Sequence, residues 1–168
     1  MNTLNDIEQW ITNALNKFAD DYFKQDNRSS SFCTYSIKEI IGNYGLEKGF
    51  RVCASGFPDY FENEWLYDLV WYKENENRNL ISAELVLETE MTYGLPAIKF
   101  DFEKLLLANA NHRIMICCVG RTPIDEIKNY CDRAVDSYAQ LKTGDRILTL
   151  MWDDFDSGEF ISHLTMKK

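Results

Sequence analysis

Glycine and proline are scarce in this chain, 8 and 3 among 168 residues. So few turn formers, beside 45% hydrophobic and 14% aromatic residues, exclude collagen-like, low-complexity and disordered classes. No apolar run approaches the ~20 residues needed to cross a bilayer; Ile114–Val119 has only the length of a strand. Met1–Trp10 carries Asp6 and Glu8 and has no basic region ahead of an apolar core, so no secretory leader is expected. Basic residues are in deficit, 18 Lys and Arg against 27 Asp and Glu, for a net charge of −9. Wholesale attachment to phosphate backbones depends on Lys and Arg displacing counterions, so any nucleic-acid contact must rest on a local patch.

Other absences narrow the chemistry. The five cysteines (Cys33, Cys53, Cys117, Cys118 and Cys131) are odd in number and form no CxxC, which reads as reduced thiols in a cytoplasmic protein. His112 and His163 lack metal-ligand spacing, so a zinc site is not expected. There is no Gly-x-Ser-x-Gly, no P-loop and no Gly-x-Gly-x-x-Gly. A dyad of Cys53 or Cys131 with His112 depends wholly on their distance in space, and buried structural thiols are the simpler account.

What is present reads as a single α/β domain over 1–168: helices in 1–45, a sheet-and-helix core in 50–152, and an edge strand or tail in 153–168. Ile7, Trp10, Ile11, Ala14, Leu15 and Phe18 recur at three and four, the stripe of an amphipathic helix with Asn5 or Asp6 as N-cap. A polar loop at 27–31 ends it. A second helix is expected over Ser36–Asn43, capped by Ser36 with Glu39 three residues on and stopped by Gly42 or Gly45. Strands are expected at Arg51–Ser55, Glu64–Tyr72 and Leu80–Glu88, the last two forming an antiparallel hairpin around the turn at 73–79, and a turn at Gly56-Phe57-Pro58-Asp59. Phe100–Ala110 reads as a helix, and Arg113–Val119 as a strand covered on both faces. A helix then runs from Pro123 to about Leu141, followed by strands at Arg146–Trp152 and Phe160–Leu164. The order is α-α-β-β-β-α-β-α-β-β, in a central mixed sheet with an antiparallel hairpin core flanked by helices.

The informative stretch is Glu64–Lys104. Asp68 interrupts the apolar, aromatic run Trp65–Trp71, where an ionised carboxylate is expensive unless paired, hydrogen-bonded or metal-bound. On the next strand, alternation puts Glu84, Val86, Glu88 and Glu90 on one face and Leu85 and Leu87 on the other. If Asp68 shares that face, up to four carboxylates converge. Such charges repel and stay ionised most readily around a cation, for which oxygen donors suit Mg²⁺, Mn²⁺ or Ca²⁺. Equally, glutamates alternating with Leu and Val are the pattern of a strand with one wet face. Asp101 and Lys104 are neighbours on a helix face, fit either for a surface ion pair or for bringing an ammonium to the carboxylates.

A β-β-β-α-β order with an acidic residue on one strand and a Glu-containing motif on the next resembles the core of the PD-(D/E)XK, restriction-endonuclease-like superfamily over about Phe50–Val119. Asp68 matches that motif's metal-binding Asp, with Pro58-Asp59 a literal "PD" in the turn before the strand. Glu88-Thr89-Glu90 matches its second acidic element, with Glu84 as a competing placement. Neither glutamate pair ends in Lys, and Lys104 on the neighbouring helix stands as the substitute. The resemblance implies phosphodiester hydrolysis with Mg²⁺ or Mn²⁺ held by Asp68 and Glu88 or Glu84, Glu90 or Lys104 positioning the attacking water. Glu39 is a further candidate for the acidic residue this superfamily often recruits from a preceding helix.

A second expectation belongs to another class. An acidic interaction protein, like the bacterial immunity proteins that neutralise nuclease toxins, would use its charge to steer a basic protein partner. Trp65, Tyr67, Trp71 and Tyr72 would be candidate contact residues, although aromatics in a strand are more often core.

Overall fold

The computed structural model describes residues 3–22, 24, 29–57 and 61–168. The expected turn at Pro58-Asp59, with its literal "PD", lies outside the described residues, as does part of the polar loop at 27–31. Among the described residues four helices pack on one six-stranded sheet in the expected order: α1 (Asp6–Tyr22), α2 (Ser30–Glu47), β1 (Arg51–Ala54), β2 (Leu69–Glu74), β3 (Leu80–Glu90), α3 (Leu95–Leu107), β4 (His112–Cys118), α4 (Ile124–Ser137), β5 (Arg146–Trp152) and β6 (Phe160–Met166). The strands lie side by side in chain order. β1–β2 and β2–β3 pair antiparallel, β3–β4 and β4–β5 parallel, and β5–β6 antiparallel.

Helix α1 begins where its sequence allows a reciprocal cap. Asn5 Oδ1 accepts the Glu8 N–H at 3.0 Å, and Glu8 Oε2 accepts the Asn5 N–H at 3.0 Å. Its stripe buries Ile11, Leu15 and Phe18 against the sheet. Helix α2 is longer than expected. It starts at Ser30, capped by the Ser29 hydroxyl accepting from Phe32 N, so Ser36 and Glu39 fall inside it. The Ser- and Thr-rich first turns cost at most ~0.7 kcal/mol per residue in propensity. Burying Ile37 and Ile41 completely returns about 1.5–3 kcal/mol each, which decides the matter.

Gly42 and Gly45 do not stop α2, because they serve close packing instead. A Cβ at Gly42 would lie 2.4 Å from the Phe61 ring, and one at Gly45 would lie 2.4 Å from Trp71 Nε1. Helix α3 starts five residues before Phe100, with Pro96 in its first turn, where a missing N–H costs nothing. Strand β2 starts at Leu69 rather than Glu64, so Asp68 precedes the strand instead of interrupting it.

The helices divide by face. Leu85, Leu87, Ile114 and Ile116 point to α1 and α2, while Val86, Met115 and Cys117 point to α3 and α4. Both parallel crossovers, β3–α3–β4 and β4–α4–β5, therefore pass over one face. At the outer edge of β1 the chain returns once: Glu62 bridges Cys53, exchanging backbone hydrogen bonds with Val52 and Ala54.

Candidate active site at the corner of β2, β3 and α3

The last rung of the β2–β3 ladder is Leu69↔Leu87, which sets Asp68 beside the end of β3. There the Asp68 carboxylate replaces the missing strand: Oδ2 accepts the Thr89 N–H at 2.8 Å and the Thr89 hydroxyl at 2.6 Å. Glu88 points to the α3 face and is buried, with 1% of its surface exposed. Lys104 reaches it from the last turn of α3, placing its Nζ 2.6 Å from Glu88 Oε1 and 3.4 Å from Asp101 Oδ1. At that distance the Lys104 ammonium engages Glu88 Oε1 directly, a charge-assisted contact.

The electrostatics follow from burial. Loss of water pushes the Glu88 carboxyl up to about 7; the Asp68 and Asp101 charges add to this, and Lys104 opposes it. Burial likewise raises Asp101, with Glu90 and Asp68 adding and Lys104 opposing. Lys104 is held above the ordinary lysine value because Glu88 and Asp101 outweigh its own partial burial. The half-buried Tyr67 phenol is raised by burial and by the Glu88 charge. A carboxyl poised near neutrality among charged partners is the kind of group found where protons are moved.

The six candidate residues divide as follows. Asp68, Glu88 and Lys104 come together, with Asp101 beside them. Glu90 shares their end of β3, its Oε1 accepting the Thr92 N–H at 2.6 Å. Glu84 does not join them. It lies four residues back along β3, roughly 13 Å away, and its Oε2 accepts from Asn111 Nδ2 at 3.2 Å. Four carboxylates therefore do not converge: the strand is long enough to carry Glu84 out of reach. Glu39 is exposed on α2. Thr89, the middle residue of Glu88-Thr89-Glu90, orients Asp68, and only its place in that motif hinted at such a role.

The donor chemistry fits a hard divalent cation. Two carboxylates with water completing the shell is a usual Mg²⁺ arrangement, and a cation at Glu88 would share that carboxylate with the Lys104 ammonium, which sits 2.6 Å from Oε1, or displace it. Among the described residues no group of three or more His, Cys, Asp and Glu is arranged to hold a metal.

Other expected chemistry sorts itself out. All five cysteines are buried and free. Burial pushes the Cys53 thiol up to about 11 and the Cys131 thiol up to about 12, far from a nucleophile's range. His112 is turned toward Asn5 and Glu8, and Cys131 faces Thr149. Trp71 and Tyr72 are core, whereas Trp65 is exposed and tilts against Tyr72. No helix among the described residues is long and apolar enough to cross a membrane. No protein-family model, curated protein or solved structure matches this chain.

Proposed function

We propose that this chain is a divalent-metal-dependent phosphodiesterase of the restriction-endonuclease-like kind, with Asp68 and Glu88 as the residues that would hold Mg²⁺ or Mn²⁺. The observation that carries the reading is the meeting of Asp68, just ahead of β2, with Glu88, near the end of β3, and Lys104 from α3. The order α2–β1–β2–β3–α3–β4, antiparallel then parallel, supports it. When bound, such a metal polarises the scissile phosphate and acidifies a coordinated water.

The chain's own residues do the rest. Thr89 fixes one Asp68 oxygen through two hydrogen bonds and leaves the other to act as a ligand. Lys104 orients Glu88 and keeps a positive charge where a phosphoryl group would develop negative charge. Glu90, at the same strand end, is the residue to accept a proton from the attacking water.

Calorimetric titration of Mg²⁺ and Mn²⁺ into wild type and Asp68→Ala tests the assignment. One site in wild type, lost in the variant and accompanied by metal-dependent cleavage of DNA or RNA, is the expected result. No specific heat in wild type overturns it.

One observation favours a second reading. Trp65 and Leu66, just before Asp68, are 47% and 77% exposed beside the exposed Glu64, on a chain of charge −9. That is an apolar and acidic surface of the type that docks a basic protein. If metal is not bound, capture of a basic nuclease domain that is lost in Trp65→Ala would establish this function instead.

A further inference from the structure

Behind the end of β3, on the face covered by α2, lies an open cavity of about 450 Å³. Its walls carry Ser31, Thr34 and Lys38 from α2, Ser55 from the turn after β1, and Thr89 and Glu90 from β3. Lys38 is the unusual member. Only 7% of it is exposed, and its ammonium donates to Ser55 Oγ at 2.8 Å. Among the described residues no carboxylate lies within ion-pair distance of it. The ammonium lines the open cavity with one neutral hydroxyl as its partner, which leaves its charge and its other protons available to a ligand.

The surroundings favour an anion. The wall beside Lys38 presents hydroxyls, which donate to oxyanions as readily as they accept from an ammonium. The first turn of α2 contributes Ser30 and Ser31 to the cavity wall and contains no acidic residue, so the positive end of the helix dipole lies on this side, with the Phe32 N–H already taken by the Ser29 hydroxyl. Glu90 opposes any anion from the β3 side. A singly charged group with two exposed oxygens meets that constraint better than a dianion. The cavity adjoins the carboxylate corner at Thr89, which lines the one and hydrogen-bonds Asp68 in the other.

We propose that this cavity binds a phosphodiester of a nucleic-acid strand, with Lys38 and Ser55 gripping the non-bridging oxygens of the phosphate next to the scissile one. The assignment deepens the phosphodiesterase reading and rests on it for the identity of the strand. It also supplies the local positive patch that so acidic a chain requires. Lys38 is a binding residue here, set apart from the metal ligands by the end of β3.

The test is fluorescence anisotropy of a labelled single-stranded oligonucleotide in EDTA, with inorganic phosphate as competitor, on wild type, Lys38→Met, Lys38→Arg and Ser55→Ala. Lys38→Met should weaken binding about tenfold or more and lower the slope of log affinity against log salt concentration by about 0.7. Ser55→Ala, a surface change that leaves the fold intact, should weaken it severalfold. Lys38→Arg, which keeps the charge, should retain more of the affinity than Lys38→Met. Unchanged affinity in both Lys38→Met and Ser55→Ala, or no binding by wild type, overturns the proposal. Metal titration separates the two readings: Lys38→Met should keep the Mg²⁺ heat that Asp68→Ala loses. A protein that binds the strand through Lys38 but takes up no metal would refute hydrolysis and leave the anion site standing.

Discussion

Lys104 Nζ lies 2.6 Å from Glu88 Oε1, joining the last turn of α3 to a buried position on β3. The Glu88 carboxyl is raised from 4.5 to about 7, so between those values the folded chain holds a proton that the unfolded chain has released. Stability from this group is therefore complete below pH 4.5 and lost as pH rises to about 7. The loss is at most about 3 kcal/mol. Urea unfolding on both sides of that window should show the decline in wild type and its absence in Glu88→Gln. Lys104→Met should move the Glu88 titration higher still, read by carboxyl NMR.

Arg146 gives a contrasting case. Its guanidinium grips the buried Glu8 carboxylate, with Nε 2.8 Å from Oε1, and ties β5 to the first turn of α1. Burial alone would raise Glu8, but hydrogen bonds from His112, the Asn5 backbone and Arg146 hold it below the usual value. Its contribution is present above the ordinary carboxyl pKa and disappears as pH falls through the depressed one. Arg146→Met should cost about 3–5 kcal/mol at neutral pH by stranding a buried charge. Adding Glu8→Gln should recover part of that loss, as a double-mutant cycle by chemical denaturation would measure.

Gly45→Ala should destabilise, against the rule that alanine favours helices. The gain in propensity is about 1 kcal/mol, but the new methyl would meet the Trp71 indole, which already stacks on Phe50 at 5.7 Å. Overpacking of this kind costs about 1–3 kcal/mol. A lower melting temperature and altered tryptophan fluorescence are the expected signs.

Thr89→Val removes the 2.6 Å hydroxyl bond to Asp68 while sparing the backbone bond. The expected cost is about 1–3 kcal/mol. If Asp68 holds the metal, the same change should weaken Mg²⁺ binding severalfold by calorimetry, because the carboxylate loses half its fixing contacts.

The element order was legible in the sequence because apolar periodicity switched cleanly from three-and-four on α1 to alternation on β3. Boundaries failed where tertiary contact outweighed local signals. The serines before Phe32 read as loop until Ile37 and Ile41 found a core, and Gly42 and Gly45 read as stops until Phe61 and Trp71 needed their space. Asp68, Glu88 and Lys104 were legible as candidates, since a carboxylate beside an aromatic run and a lysine on the next helix both invite a charged partner. Glu84 misled because alternation assigns a face but not a distance. Lys38 gave no signal, being one lysine among many until α2 and Ser55 enclosed it.

The single bridge from Glu62 to Cys53 has a consequence for self-association. By occupying the backbone groups of Val52 and Ala54, it blunts the β1 border of the sheet against strand addition. At the opposite border Asn16 takes both backbone groups of Phe160, so a foreign strand can join only along the later residues of β6. Two copies joined there would run in opposite directions about a twofold axis, leaving the Asp68 corner of each at a distance from the seam.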